Sequence, residues 1–141
     1  MPINVILAPL FVEVLLTFAL MFGMMYYRTS ALRRRQARFE QIAMREPNWP
    51  QRANQFAYAF GNNFELPVLF YVLTILAIVT RHADLVFIIM AWIFVILRIL
   101  QAYVHVTNNN VRMRGAWYGV GALVLVIMWI IFIVRIMLGL P

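Results

Sequence analysis

The chain has 141 residues, 65% of them hydrophobic, and a net charge of +7 from twelve basic and five acidic residues. A soluble domain is nearer half apolar, so an ordinary water-soluble fold is excluded. There is no cysteine, which rules out disulfides, a thiolate metal site and a protein thiol nucleophile.

The two histidines, His82 and His105, lack metal-ligand spacing. All twelve basic residues are arginine, whose planar fork suits carboxylate and phosphate. The charge is distributed as in an oriented membrane protein, not as in a nucleic-acid binder. The apolar residues fall in blocks of about 20, enough to cross a bilayer. The expectation is an all-α integral membrane protein, one four-helix domain over residues 1–141.

The first span covers 5–27, with Glu13 as its only charge. It is too long for a removable signal peptide, and no small-residue cleavage site follows. No clear stop appears before Glu46-Pro47, so a polar extension of this helix is expected through the arginines from Arg28 to Arg45. The second span, 53–80, follows Pro50, a residue suited to a first helical turn. Pro67 lies inside it and should kink it. Arg81-His82-Ala83-Asp84 is a tight connection to the third span, 84–107. A polar loop, 108–113, leads to the fourth span, 114–138. Short alternating segments are missing, which argues against a β-barrel.

Arginine counts orient the bundle. The 28–52 connection holds Arg28, Arg33, Arg34, Arg35, Arg38, Arg45 and Arg52, and the 108–113 connection with its flank adds Arg112 and Arg114. The other side has only Arg81 and Arg135. The positive-inside rule places both basic connections in the cytoplasm and both termini outward.

An arginine in a membrane-length apolar run costs roughly 2.5–3.5 kcal/mol on insertion scales, so Arg98 needs an offset. Arg98, Gln101, His105 and Asn108 share one helix face, and Asn54, Tyr58, Asn62 and Glu65 share another. Counting in from the span borders puts Glu65, Arg98, Gln101, Arg114 and Tyr118 in one layer. A Glu65–Arg98 pair is predicted. Such a layer is either a structural salt bridge or a site where the surplus of Arg98, Arg112 and Arg114 meets an anionic ligand or lipid headgroups. Glu13 is expected to pack or hydrogen-bond between helices. The Arg33–Arg35 cluster reads as an orientation signal with headgroup contact. Gly115-x-x-x-Gly119 permits close helix approach.

Two motifs carry a resemblance. One is Asn62-x-x-Glu65 with Pro67 close behind. The other is Arg98-x-x-Gln101, then His105, then Arg114-x-x-x-Tyr118. With this order, depth and spacing the chain resembles the membrane-associated proteins in eicosanoid and glutathione metabolism, the MAPEG family. It is most like a bacterial-type member similar to the microsomal glutathione transferases. The resemblance implies a homotrimer of four-helix subunits in a bacterial inner membrane. Glutathione would be the co-substrate, bound between subunits on the cytoplasmic side, without a metal. It implies ligand contacts from Asn62, Glu65, Arg98, Gln101, His105, Arg114 and Tyr118, with Arg33 or Arg34 on a carboxylate. Arg114, or Arg112 if the loop is shifted, would face the sulfur. The implied activity is transfer to, or peroxide reduction of, a lipophilic substrate entering from the membrane lipids. The alternative is a non-catalytic lipid- or anion-binding protein of the same fold. A transporter would more often show internal repeats or unwound spans, and neither is evident.

Overall fold

The computed structural model describes residues 2–36, 38–43, 49–108 and 110–141, without the side chains of Gln41 and Val111. The expected break at Glu46, Pro47 and Asn48, together with Arg45 and Asn109, lies outside the described residues. The elements are α1 (Ile3–Arg33), α2 (Phe39–Ile42), α3 (Gln51–Asn62), α4 (Leu66–Val79), α5 (Leu85–Val106) and α6 (Val111–Met137). Four stretches are long and apolar enough to span a membrane: Ile3–Arg33, Gln51–Val79, Leu85–Val106 and Arg112–Met137. No strand occurs among the described residues.

The helix ends follow from local chemistry. Asp84 caps α5 by accepting from the Phe87 amide at 3.0 Å. Asn110 caps α6 by accepting from the amides of Arg112 and Met113 at 3.1 and 3.3 Å. Each cap satisfies donors that a helix start leaves without an intrahelical partner. At their far ends α1, α4 and α6 close with the same turn. Gln36 N donates to Ala31 O, His82 N to Ala77 O and Leu140 N to Arg135 O. A left-handed residue precedes the donor each time: Arg35, Arg81 and Gly139. This is the Schellman arrangement. It stops α1 at Arg33, well short of the extension expected through Arg45.

The second span differs from the single kinked helix expected. It is two helices joined at Asn63-Phe64-Glu65. The amides of Asn63, Phe64 and Glu65 each reach back only three residues, to Phe60, Gly61 and Asn62. Pro67 explains the break. It has no amide hydrogen, and its ring collides with the carbonyl four residues before it in a continuous helix. The chain therefore restarts, with Pro67 in the first turn of α4, where no intrahelical donor is needed.

α1 packs on α3, α4 and α5, while α6 packs on α5 and α4. Two apolar clusters result. The larger is built around Ile6, Phe70, Leu73, Phe94, Leu125 and Met128. The smaller consists of Leu20, Ala59 and Ala102. Along α1, along the α3–α4 pair and along α5, the buried polar residues Glu13, Asn63, Arg98 and Gln101 fall between the two. The fold therefore holds a polar layer between two apolar ones, nearer the arginine-rich end, called here the basic side.

Close approach of α1 to α3 depends on Gly23. A Cβ there would overlap the Phe56 ring, which is itself stacked on Tyr27 at 5.1 Å. Overpacking of this kind costs about 1–3 kcal/mol. Gly23→Leu should therefore lower the thermal midpoint of the detergent-solubilised protein. Gly61→Ala, with open space around the new methyl, should leave it unchanged or raise it.

Candidate functional site

The polar layer is organised by Arg98, which is 2% exposed. Its helix, α5, starts at Leu85, which puts Arg98 about 20 Å from that end at 1.5 Å per residue, inside any bilayer core. One terminal nitrogen donates to Gln101 Oε1 at 2.5 Å, one turn further along the same helix. The other donates to Asn63 Oδ1 at 2.7 Å. Asn63 Nδ2 in turn donates to Thr17 Oγ1 at 2.9 Å, and Thr17 Oγ1 donates to the Glu13 carbonyl at 3.0 Å. A hydrogen-bonded chain thus crosses from α5 through the α3–α4 joint to α1.

The Glu13 side chain lies beside this chain and is 0% exposed. Neither of its carboxylate oxygens has a hydrogen-bond partner, and neither does Arg98 Nε. Glu13, Glu65, Tyr71 and Tyr118 all lie within electrostatic reach of Arg98. A sealed carboxylate costs several kcal/mol unless an opposite charge offsets it. No ion pair joins Glu13 to Arg98, so the two act on each other only through space.

The predicted Glu65–Arg98 pair is not formed. The two residues share a level, but Glu65 is the N-cap of α4 and is exposed. The Pro67 break turns it outward and brings Asn63 inward. Asn62, the last residue of α3, is half-buried.

The remaining candidates are distributed as follows. His105 is buried in the last turn of α5 with Nδ1 unpartnered, within electrostatic reach of Arg114 and Arg98. Arg112 is exposed at the start of α6, Arg114 is half-buried, and Tyr118 is half-buried one turn later. The layer thus gathers Glu65, Arg98, Gln101, His105, Arg114 and Tyr118 from the α3–α4 joint, α5 and α6. Arg33 and Arg34 stand apart in this chain, in a groove at the end of α1.

The turn into α6 is held from α3. Arg52 donates to the Val106 carbonyl, and Gln55 Nε2 donates to the Thr107 carbonyl at 3.3 Å. A cation and a donor at a helix C-terminus answer its free carbonyls and negative dipole end.

Glu13 packs between helices as expected, without a hydrogen bond; sequence reasoning missed its nearness to Arg98, and it missed Thr17 and Asn63. A signal for Glu13 was available. Counting from the start of α1 gives it a depth of about 15 Å, within one helical turn of Arg98 counted from the start of α5. Asn63 had no such signal, because its inward position depends on the helix break.

Breaking the Glu13–Arg98 relation leaves one charge buried and uncompensated. Glu13→Gln and Arg98→Gln should each cost about 3 kcal/mol of stability. The double variant should cost clearly less than their sum, since the two residues are coupled. Thermal or denaturant unfolding in lipid discs measures this. Simple additivity would show that the two charges do not balance each other.

Compared with known proteins, the chain matches the MAPEG family over residues 6–134. No curated protein and no solved structure is similar enough to refine that assignment. The match runs from the first span to the fourth and contains the whole polar layer. The chain therefore belongs to the MAPEG family, which fits a membrane role related to glutathione.

Proposed function

We propose that the protein is a glutathione-dependent transferase or peroxidase acting on lipophilic electrophiles that arrive through the bilayer. The observation that carries this is the charge of the layer. It holds the guanidiniums of Arg98, Arg112 and Arg114 against the carboxylates of Glu13 and Glu65. Arg98 and Glu13 are sealed inside. Glu65 and Arg112 are exposed, and Asn62, Arg114 and Tyr118 are half-buried. The accessible part of the layer thus presents two guanidiniums, one carboxylate, an amide and a phenol. Glutathione has two carboxylates, one ammonium and a thiol. Glu65 suits the ammonium, and the arginines suit the carboxylates and the sulfur. In this reading Arg98, Gln101 and His105 form the floor beneath the ligand.

The chemistry needs a thiolate. A free thiol has a pKa of about 8.5 and reacts in its deprotonated form. Lowering that value by two units takes roughly 2.7 kcal/mol of preferential anion stabilisation. A guanidinium a few ångströms away, partly shielded from water, supplies an effect of that size. Arg114 is assigned that role, with Arg112 behind it. The thiol proton leaves to water on the basic side. The sulfur then adds to an electrophilic carbon and expels a halide. Alternatively it attacks a hydroperoxide oxygen, giving the alcohol and a sulfenic acid that a second glutathione converts to disulfide.

The same residues support a homotrimer. Glu65 lies roughly 9 Å inside a ~30 Å core when α4 is counted from its far end. Together with Asn62 and the 54% exposed Tyr58, it makes a face too polar to meet lipid. A neighbouring subunit would cover that face and enclose the ligand. The basic side would be cytoplasmic, with both termini outward, in a bacterial inner membrane.

Mixing the protein with glutathione while following thiolate absorbance tests the assignment. A rise at neutral pH is expected, and Arg114→Ala should abolish it. In the steady state the rate should climb with pH through about 6.5 in the wild type. In Arg114→Ala that limb should move toward the free-thiol value of about 8.5. If glutathione leaves the absorbance flat while lipid is retained, the protein is a binding protein and not a transferase.

A further inference from the structure

The start of α6 carries Arg112, Arg114 and Tyr118, yet burial does not anchor it. None of the described residues from Arg112 to Val120 is buried, and the buried residues of the helix are Gly121, Leu125 and Met128. Arg114 lies about 10 Å along the axis from the first of these, at 1.5 Å per residue. On its other side the ties are closer. Arg114 N donates to the Asn110 carbonyl at 2.9 Å, and the Asn110 side chain accepts from the amides of Arg112 and Met113. Since α5 ends at Val106 and α6 begins at Val111, a short connection leads from the last carbonyls of α5 to that cap.

The near end of that connection is gripped by α3. Arg52 donates to the Val106 carbonyl, and Gln55, 6% exposed, donates to the Thr107 carbonyl. Residues three apart share a helix face, so one face of α3 takes two consecutive carbonyls. The helix is a firm base for this. Ala53, Gln55 and Ala59 are buried, and Phe56 is stacked on Tyr27 of α1. The Arg52 guanidinium stands 5.9 Å from the centroid of that same Tyr27 ring, within range of a cation–π contact. Arg52 thus belongs to α3, lies over a ring of α1 and holds the end of α5.

We propose that Arg52, seconded by Gln55, is a positioning residue for Arg114. It fixes the end of α5 and, through the short connection and the Asn110 cap, the first turn of α6. The distance from the Arg114 guanidinium to the ligand sulfur is set there. This rests on the thiol-facing role given to Arg114 above. The reason such a clamp matters is that attraction between a guanidinium and a thiolate falls with distance, and steeply so where water is partly excluded. A shift of about 1 Å in a reacting group can cost roughly a hundredfold in rate. Arg52 itself acts on the sulfur through the backbone it holds, not by contact.

Two measurements on the full chain in lipid discs test this, with Arg52→Ala and Arg52→Lys. Arg52 is exposed, so both variants should fold. The first is hydrogen exchange at the Arg112, Met113 and Arg114 amides. Exchange should be roughly tenfold faster in Arg52→Ala, because local opening becomes easier. Arg52→Lys, which keeps a charged donor, should stay near the wild type. The second is thiolate absorbance of bound glutathione followed against pH. Its midpoint should rise by about one unit in Arg52→Ala, toward the free-thiol value of about 8.5, and return in Arg52→Lys. Faster exchange with an unmoved midpoint makes the clamp merely structural and overturns the proposal. A moved midpoint with unchanged exchange makes Arg52 a distant charge and overturns it too, as does no change in either. A wild type that forms no thiolate is a failure of the transferase reading instead. Exchange alone then decides whether Arg52 holds the start of α6.

Discussion

A guanidinium about 20 Å into a membrane helix is the constraint on which the rest of the structure depends. Arg98 cannot be left unanswered in hydrocarbon. The chain answers it with neutral acceptors on two sides, Gln101 and Asn63, and sets the sealed Glu13 of a third helix within electrostatic reach. Each partner has a structural consequence. Gln101 requires only helical spacing. Asn63 requires the chain to turn inward, which the break before Pro67 provides. Glu13 requires α1 to lie close against α5 and the α3–α4 joint, which Gly23 helps to permit at the Phe56 ring. The two apolar clusters then close above and below.

This arrangement divides the charges by role. The deep residues, Arg98 and Glu13, are inaccessible. The shallow arginines at the start of α6 stand where α5 ends, and Arg52 and Gln55 hold that end by its carbonyls. The same helix break that brings Asn63 inward turns Glu65 outward. A break that answers one buried cation therefore also creates an accessible carboxylate. In the proposed function this surface receives a zwitterionic diacid.

The parts of this that were legible in the sequence are those that one helix encodes by itself. The number of spans follows from runs of apolar residues, and four stretches are long and apolar enough to cross a membrane. Arg98 and Gln101 are one turn apart and do bond. The common level of Glu65, Arg98, Arg114 and Tyr118 follows from counting residues, and the electrostatic neighbourhoods of Arg98 and His105 agree with it. What failed was direction. Depth along a helix says nothing about rotation around a neighbour, and a three-residue joint reset the rotation of the second span. Glu65 and Asn63 exchanged roles for that reason. Glu13 was expected to pack, but its nearness to Arg98 was not read, because a lone acid has no pattern on its own helix. Its meaning lies in the depth of a residue on another.

Separation of a sealed charge pair from an accessible cationic site is tested most directly by glutathione affinity. The comparison is between the Glu13→Gln/Arg98→Gln double variant and Arg114→Gln, both in lipid discs. If the pair is internal and balanced, the double variant should bind within about threefold of the wild type. Loss of one charge-assisted contact, about 1.5–3 kcal/mol, should weaken Arg114→Gln by roughly tenfold or more. Strong binding by Arg114→Gln together with lost binding in the double variant would contradict it and make Arg98 itself the anion site.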